Sequence, residues 1–304
     1  MPFMKSFFAI AVLPLLCFSC INDKYYRTKT GLLYKVIPGP VKGDSSFARM
    51  GCTVKVNYIQ KVGDTVIEST YERMPLYYMV LPGMSAYNPL EVFDYGINEG
   101  DSVVTVQRID SMIKKNIFKK AAPWMKNDDE WITTMKVEKI FRGNDSLLQV
   151  DKQNETKRVT ALQTALGKER IAGYLKKNDL KASASEELYI EIVQQGSGMK
   201  ADTGKWVSAD FVVKTLKGKM VNSTLDTSFH MTGPKGFVMG AHFFPPMIEE
   251  RLKQFNQGSI VRFYIPGVLL FGVEPQSKET KIDDDMIFEV QLKNVLDQAP
   301  VPVK

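Results

Sequence analysis

The sequence predicts an α+β chain of two β-rich domains, each with one short helix, joined by a longer helix. Three observations carry this. Apolar stretches of period two, bounded by Gly and Pro, recur through residues 32–140 and again through 188–292. Between them, residues 143–177 break the pattern, with Val159, Leu162, Leu166, Ile171 and Leu175 at near-helical spacing. Finally, the two stretches match each other in order. Leu33-Tyr34 pairs with Leu188-Tyr189 (155 apart), and Val54–Tyr58 with Val207–Phe211 (153 apart). Gly100–Val103 pairs with Gly258–Val261 (158 apart), and Thr134–Val137 with Ile287–Val290 (153 apart). A nearly constant offset through four strands implies a duplicated domain.

The 304 residues suffice for two domains of ordinary size, and 44% hydrophobic with 11% aromatic content is globular. Lysines scattered among 34 acidic residues give a net charge of +6, which argues against nucleic acid as a partner. With His230 and His242 the only histidines, neither a His-based metal site nor a Ser-His triad is expected. No metal and no cofactor is called for.

At the start, Met4-Lys5 leads into the apolar run Phe7–Leu16, which is of secretory length and too short to span a bilayer. Residues 1–19 read as a signal peptide. Ser19 directly before Cys20 resembles a bacterial lipoprotein signal, in which Cys20 becomes the lipidated first residue, although Cys17 stands where leucine is usual. An ordinary secretory signal is the alternative. Acylated Cys20 would leave Cys52 as the one thiol and no internal disulfide. The expected location is a bacterial cell envelope, tethered to the outer membrane and facing the periplasm or the exterior.

Residues 20–30 are a polar tether. Leu32–Ile37 reads as a strand stopped by Pro38-Gly39-Pro40, and Val54, Val56 and Tyr58 alternate with Lys55 and Asn57 as a half-buried strand. Gly63-Asp64 marks a hairpin, and a further strand runs through 76–81. Asn88-Pro89 opens a short helix, with Asn88 as cap and Gly96 or Gly100 as stop. Strands at 103–106 and 132–140 complete the first domain, 31–142. The intervening 111–130, with its Lys pairs and Asp128-Asp129-Glu130, reads as a charged surface loop. The helical linker occupies 143–182 and the second domain 183–304. There Asp283-Asp284-Asp285 reads as a solvated turn.

The second domain offers an ordered series: Phe211, Gly218, Phe237–Gly240, Ile248–Leu252, Gly258–Gly272 ending in Phe271-Gly272, and Phe288-Glu289-Val290-Gln291-Leu292. This series resembles the FKBP family of peptidyl-prolyl cis-trans isomerases. The resemblance implies an antiparallel half-barrel of five or six strands wrapped on one short helix. Through the internal repeat it implies a divergent FKBP-like copy at 31–142. It also implies a pocket built from Phe211, Val221, Asn222, Phe237, Phe244, Pro245, Ile248, Phe271 and Phe288, with Val221 and the aromatic rings other than Phe211 touching substrate. The late strand Gly258–Gly272 would deliver Phe271 to its rim. Five positions depart from the family pattern. Phe211 and Phe271 replace tyrosines, Val221-Asn222 replaces a Phe-Asp pair, and Ile248 replaces the tryptophan floor. In the first copy Tyr58, Ile67 and Glu68 match early positions, Val92 falls near the floor position and Met135 stands for the last-strand Phe.

An apolar hollow has a chemical reason in this family. The planar X-Pro amide is the more dipolar form, so a dry aromatic pocket favours the twisted amide and binds the transition state preferentially. The expected function is isomerisation of prolyl bonds in unfolded or proline-containing exported polypeptides, seated in the second domain. The alternative is a non-catalytic peptide-binding module or holdase. A third reading is a homodimeric scaffold joined through the first domain and linker.

Overall fold

The computed structural model describes residues 24–40, 47–81, 86–143, 145–274 and 281–300. The signal segment 1–19, Cys20 and residues 21–23 of the tether lie outside the described residues. The chain forms two compact units, Met1–Ser69 with Leu76–Gly143, and Thr70–Pro75 with Asn144–Lys304.

The first unit holds β1 (Tyr26–Arg27), β2 (Leu33–Ile37), β3 (Thr53–Val62), β4 (Thr65–Ser69), β5 (Leu76–Met79), β6 (Ser102–Arg108) and β7 (Glu130–Phe141). Its sheet runs β1-β2-β6-β7-β3-β4, with β5 also paired to β3. Alternation places Val54 and Val56 inside, where they meet Val92 and Phe93 of the 3-10 helix Pro89–Tyr95. Asn88 caps that helix by accepting from the Leu90 N–H at 3.0 Å, and Gly96 ends it at φ 79°.

Segment 109–130 is not a solvated loop. It opens with α1 (Ile109–Lys114), which buries Ile109 and Met112, and Ile113, Phe118 and Met125 also pack on the core. The lysine pairs that dominate the sequence there are exposed, and Ile109, Met112 and Ile113, which precede them, lie at helical spacing.

The second unit opens with α2 (Asp145–Lys177), followed by β8 (Ser183–Ala184), β9 (Tyr189–Gln194), β10 (Trp206–Thr215), β11 (Met220–Ser223), β12 (Lys235–Val238), α3 (Pro246–Leu252), β13 (Ile260–Ile265), α4 (Gly267–Phe271) and β14 (Met286–Leu296). The order is β8-β9-β13-β14-β10-β11, with β12 also paired to β10. Strand for strand this repeats the first sheet, so both units are antiparallel and the chain is α+β. Each sheet counts seven strands rather than five or six, because two-residue strands β1 and β8 extend one edge.

Register sharpens the repeat. Bulges fall between Lys55 and Val56 and between Ser208 and Ala209, which confirms the 153-residue match of β3 to β10. Tyr58 then faces Met135 as Phe211 faces Val290, and Val103 faces Met135 as Val261 faces Val290. Met135 is therefore the counterpart of Val290, not of Phe288. Thr133 stands at the Phe288 position. A slip of two residues preserves the inside-outside alternation, so period alone does not exclude it. On β2, Tyr34 faces Thr105 as Ile190 faces Phe263, which brings Leu32 onto Leu188, both fully buried.

Helix α2 does more than link. It buries Val159, Gln163, Gly167, Ile171 and Leu175, a ridge at every fourth residue. Ile171 and Leu175 cover Tyr264 and Ile287 on the outer face of the second sheet. A Cβ on Gly167 would lie 2.6 Å from the Pro266 Cβ, so glycine is what permits this approach. Burial, together with a hydrogen bond to Glu191 at 2.5 Å, pushes the Tyr264 hydroxyl well above its ordinary pKa, so it stays a donor. Nor is Asp285 part of a solvated turn. Its buried carboxylate accepts from Arg170 of α2 at 2.7 and 3.0 Å and from the Gly267 N–H at 3.1 Å. Among the described residues no helix is long and apolar enough to cross a membrane.

Candidate functional site

The inner face of the second sheet gathers most of the expected residues. Alternation on β10 turns Val207, Ala209, Phe211 and Val213 inward, and Phe237 and Phe288 join them from β12 and β14. Ile248 of α3 is fully buried in the same core, with Val221 half-buried at its margin. Phe211 is fixed from two sides. Its N–H donates to the Thr224 hydroxyl at 2.9 Å, and that hydroxyl donates to the buried Asp210 carboxylate at 2.9 Å.

Phe244 is not a wall of the hollow but its occupant. Its ring lies 5.4 Å from Phe211, 5.2 Å from Phe237 and 5.2 Å from Phe288, edge-on to all three. Edge-to-face packing at these distances is favourable, so the rings form a filled cluster. Phe211, Phe237, Phe244 and Phe288 are 5%, 7%, 4% and 6% exposed, which leaves almost no aromatic surface open to a ligand. Phe243 stacks over Phe237 at 4.7 Å and is 41% exposed, forming a cover.

A buried carboxylate holds the loop that carries this pair. Glu249 on α3 accepts from the N–H groups of Gly240 (3.0 Å), His242 (3.2 Å) and Phe244 (2.9 Å). The first unit has the same device, in which buried Glu91 accepts from the N–H groups of Thr30 and Tyr87. Sequence reasoning missed Phe243 and Glu249. The doubled phenylalanine and the acid in the first turn after Pro245-Pro246 were the available signals.

Three expected residues stand apart from the ring cluster. Asn222 turns its side-chain oxygen to the neighbouring Ser223 N–H at 2.8 Å, so it serves its own turn. Pro245 precedes α3 and accepts from the Ile248 N–H at 2.8 Å. Phe271 lies on α4 rather than at a strand end, half-buried at the margin of the core. The strand stops at Ile265 because Pro266 begins the turn that leads into α4.

The first unit keeps two of the three cage positions aromatic, Tyr58 at that of Phe211 and Tyr78 at that of Phe237, and differs at the third. The cross-strand pair Phe263–Phe288 is replaced there by Thr105–Thr133, whose buried hydroxyls have no hydrogen-bond partner among the described residues. Phe118 and Trp131 pack against its core instead, 6.5 Å apart. A separate cavity of about 620 Å³ in this unit is lined by Phe47, Met50, Tyr78, Leu90 and Phe93 among others. Among the described residues no cluster of His, Cys, Asp and Glu is arranged to hold a metal ion.

Residues 198–293 match the family model of the FKBP-type peptidyl-prolyl cis-trans isomerases. FkpA from Escherichia coli is similar over 50% of this chain and 68% of its own, at 21% identity and a TM-score of 0.36. The three FKBP domains of wheat FKBP73 are similar over 88% of this chain and 96% of their own, at 10% identity and a TM-score of 0.31. A peptidyl-prolyl cis-trans isomerase from Pseudomonas syringae pv. tomato str. DC3000 covers 45% of this chain and 96% of its own, at 19% identity and a TM-score of 0.33. None of the curated proteins matches the chain.

Proposed function

We propose, on the premise that residues 198–293 form an FKBP-type peptidyl-prolyl cis-trans isomerase domain, that this protein acts on X-Pro bonds of incompletely folded exported polypeptides. The observation that carries the reading is the cage of Phe211, Phe237 and Phe288 around a single apolar site, in a core that also holds Ile248. Such a site takes a prolyl ring and leaves the twisted amide in a dry environment, where loss of the amide dipole is least penalised. No nucleophile or general base is required. The first unit, with Thr133 in place of Phe288, serves as a non-catalytic partner domain.

The test is NMR exchange spectroscopy of a capped X-Pro peptide with the mature full chain. Cis-trans exchange several-fold above buffer, abolished by Phe288→Thr, is the expected result. Exchange at the buffer rate, with peptide shifts still at Phe237 and Phe288, would instead favour a peptide-binding module or holdase. Two observations support that second reading. Phe244 fills the cage, and Phe271 has no hydroxyl to bond a substrate backbone.

The protein acts at a bacterial cell envelope, tethered to the outer membrane through acylated Cys20. A Cys20→Ala protein should move from the membrane to the soluble fraction. Its retention in membranes would remove this assignment.

A further inference from the structure

Resting on the prolyl site above, we infer that Phe244 is a built-in occupant of that site and decides what enters it. Glu249 is the latch that holds it in place, and a prolyl ligand binds by displacing the Phe244 ring. The three walls are 5–7% exposed, and Phe244 is the one ring that packs edge-on against all three, with Phe243 covering Phe211 and Phe237. A prolyl ring and the Phe244 ring cannot share the space, since cores pack without room for a second occupant.

The loop that carries the occupant is built to move as a unit. It begins at Gly240, at φ 95°, and ends at Pro245-Pro246, where α3 starts. Within it His242 sits at φ 61°, a conformation a non-glycine residue adopts at some expense. Three of its N–H groups converge on the one carboxylate of Glu249, and the Ala241 N–H adds a local bond to the Val238 carbonyl. Removing one side chain on α3 therefore frees Gly240, His242 and Phe244 together. Half-exposed Phe243, stacked on Phe237, is the first surface an apolar peptide meets.

Closure lowers apparent affinity by the fraction of molecules that are open. Phe244→Ala should therefore bind a capped Gly-Leu-Pro-Ala peptide at least tenfold more tightly than the unaltered protein. Glu249→Gln, which keeps the side chain's shape and weakens the acceptor, should tighten binding several-fold. Hydrogen exchange of the unaltered protein gives a readout independent of variant folding. Saturating peptide should accelerate exchange at the Gly240, His242 and Phe244 amides.

Unchanged or slower exchange at those amides, with the peptide bound, would overturn the inference and leave the prolyl site standing. So would a folded Phe244→Ala protein that binds no more tightly. If neither the unaltered protein nor the two variants bind the peptide, the site and its occupant fall together.

Discussion

Arg170→Met should destabilise the second unit by about 3 kcal/mol. The change strands the Asp285 carboxylate, whose side chain is 1% exposed, with the Gly267 N–H as its one remaining donor among the described residues. Breaking a buried pair from one side costs about 3–5 kcal/mol. The Arg170 guanidinium is itself 37% exposed, so solvent screening sets the expectation at the low end of that range. The pairing also raises the guanidinium above its ordinary pKa, chiefly through the hydrogen bond to Asp285, so no accessible pH removes its charge. Adding Asp285→Asn should recover more than half of the loss. The amide oxygen still accepts from Gly267, and no charge is left buried. Urea unfolding followed through Trp206 fluorescence measures both variants. A loss below about 1 kcal/mol for Arg170→Met would mean that water reaches Asp285 freely.

Phe288→Ala should cost about 3–5 kcal/mol, the range for a buried aromatic in a core that cannot collapse. The ring meets Phe211 at 6.0 Å and Phe244 at 5.2 Å, and faces fully buried Phe263 across the sheet. Phe288→Thr copies Thr133 of the first unit but should do no better. There the segment between β6 and β7 packs Phe118 and Met125 against a core built around threonine, whereas the segment between β13 and β14 packs Leu269, Leu270 and Phe271 against a core built around phenylalanine. Thermal unfolding with near-ultraviolet circular dichroism tests this. A cost below about 1.5 kcal/mol would show that Phe244 shifts into the space.

The strands were legible because half-buried sheets write their alternation directly into the chain. Val54 and Val56, or Val207, Ala209 and Phe211, can be assigned to one face without coordinates. The capped helix at Pro89 was equally plain, since Asn88 and Gly96 are chemical punctuation. What escaped was whatever depends on partners distant in sequence. The equivalence of Thr133 and Phe288 needed the register across three strands, because a two-residue slip looks the same locally. Met112, Phe118 and Met125 were hidden among lysines whose charges dominate any short window. Asp285 read as a solvated acid until Arg170, 115 residues earlier, came beside it. The cage residues Phe211, Phe237 and Phe288 were found as a set, but Phe244 was read as a wall. Whether an aromatic side chain lines a space or fills it is a question of ring positions, which spacing does not encode.

The strand order also bears on how the molecule is made. In each sheet the strand synthesised last occupies the middle: β7 lies between β6 and β3, and β14 between β13 and β10. A chain emerging from its N-terminus can form the β3–β4 or β10–β11 hairpin early, but the two halves of each sheet have nothing to join them until residues 130–141 or 286–296 arrive. Helix α2, though made before its sheet, likewise waits for Asp285 and Ile287. Each unit thus closes in one late, long-range step, the kind that sets a slow folding rate.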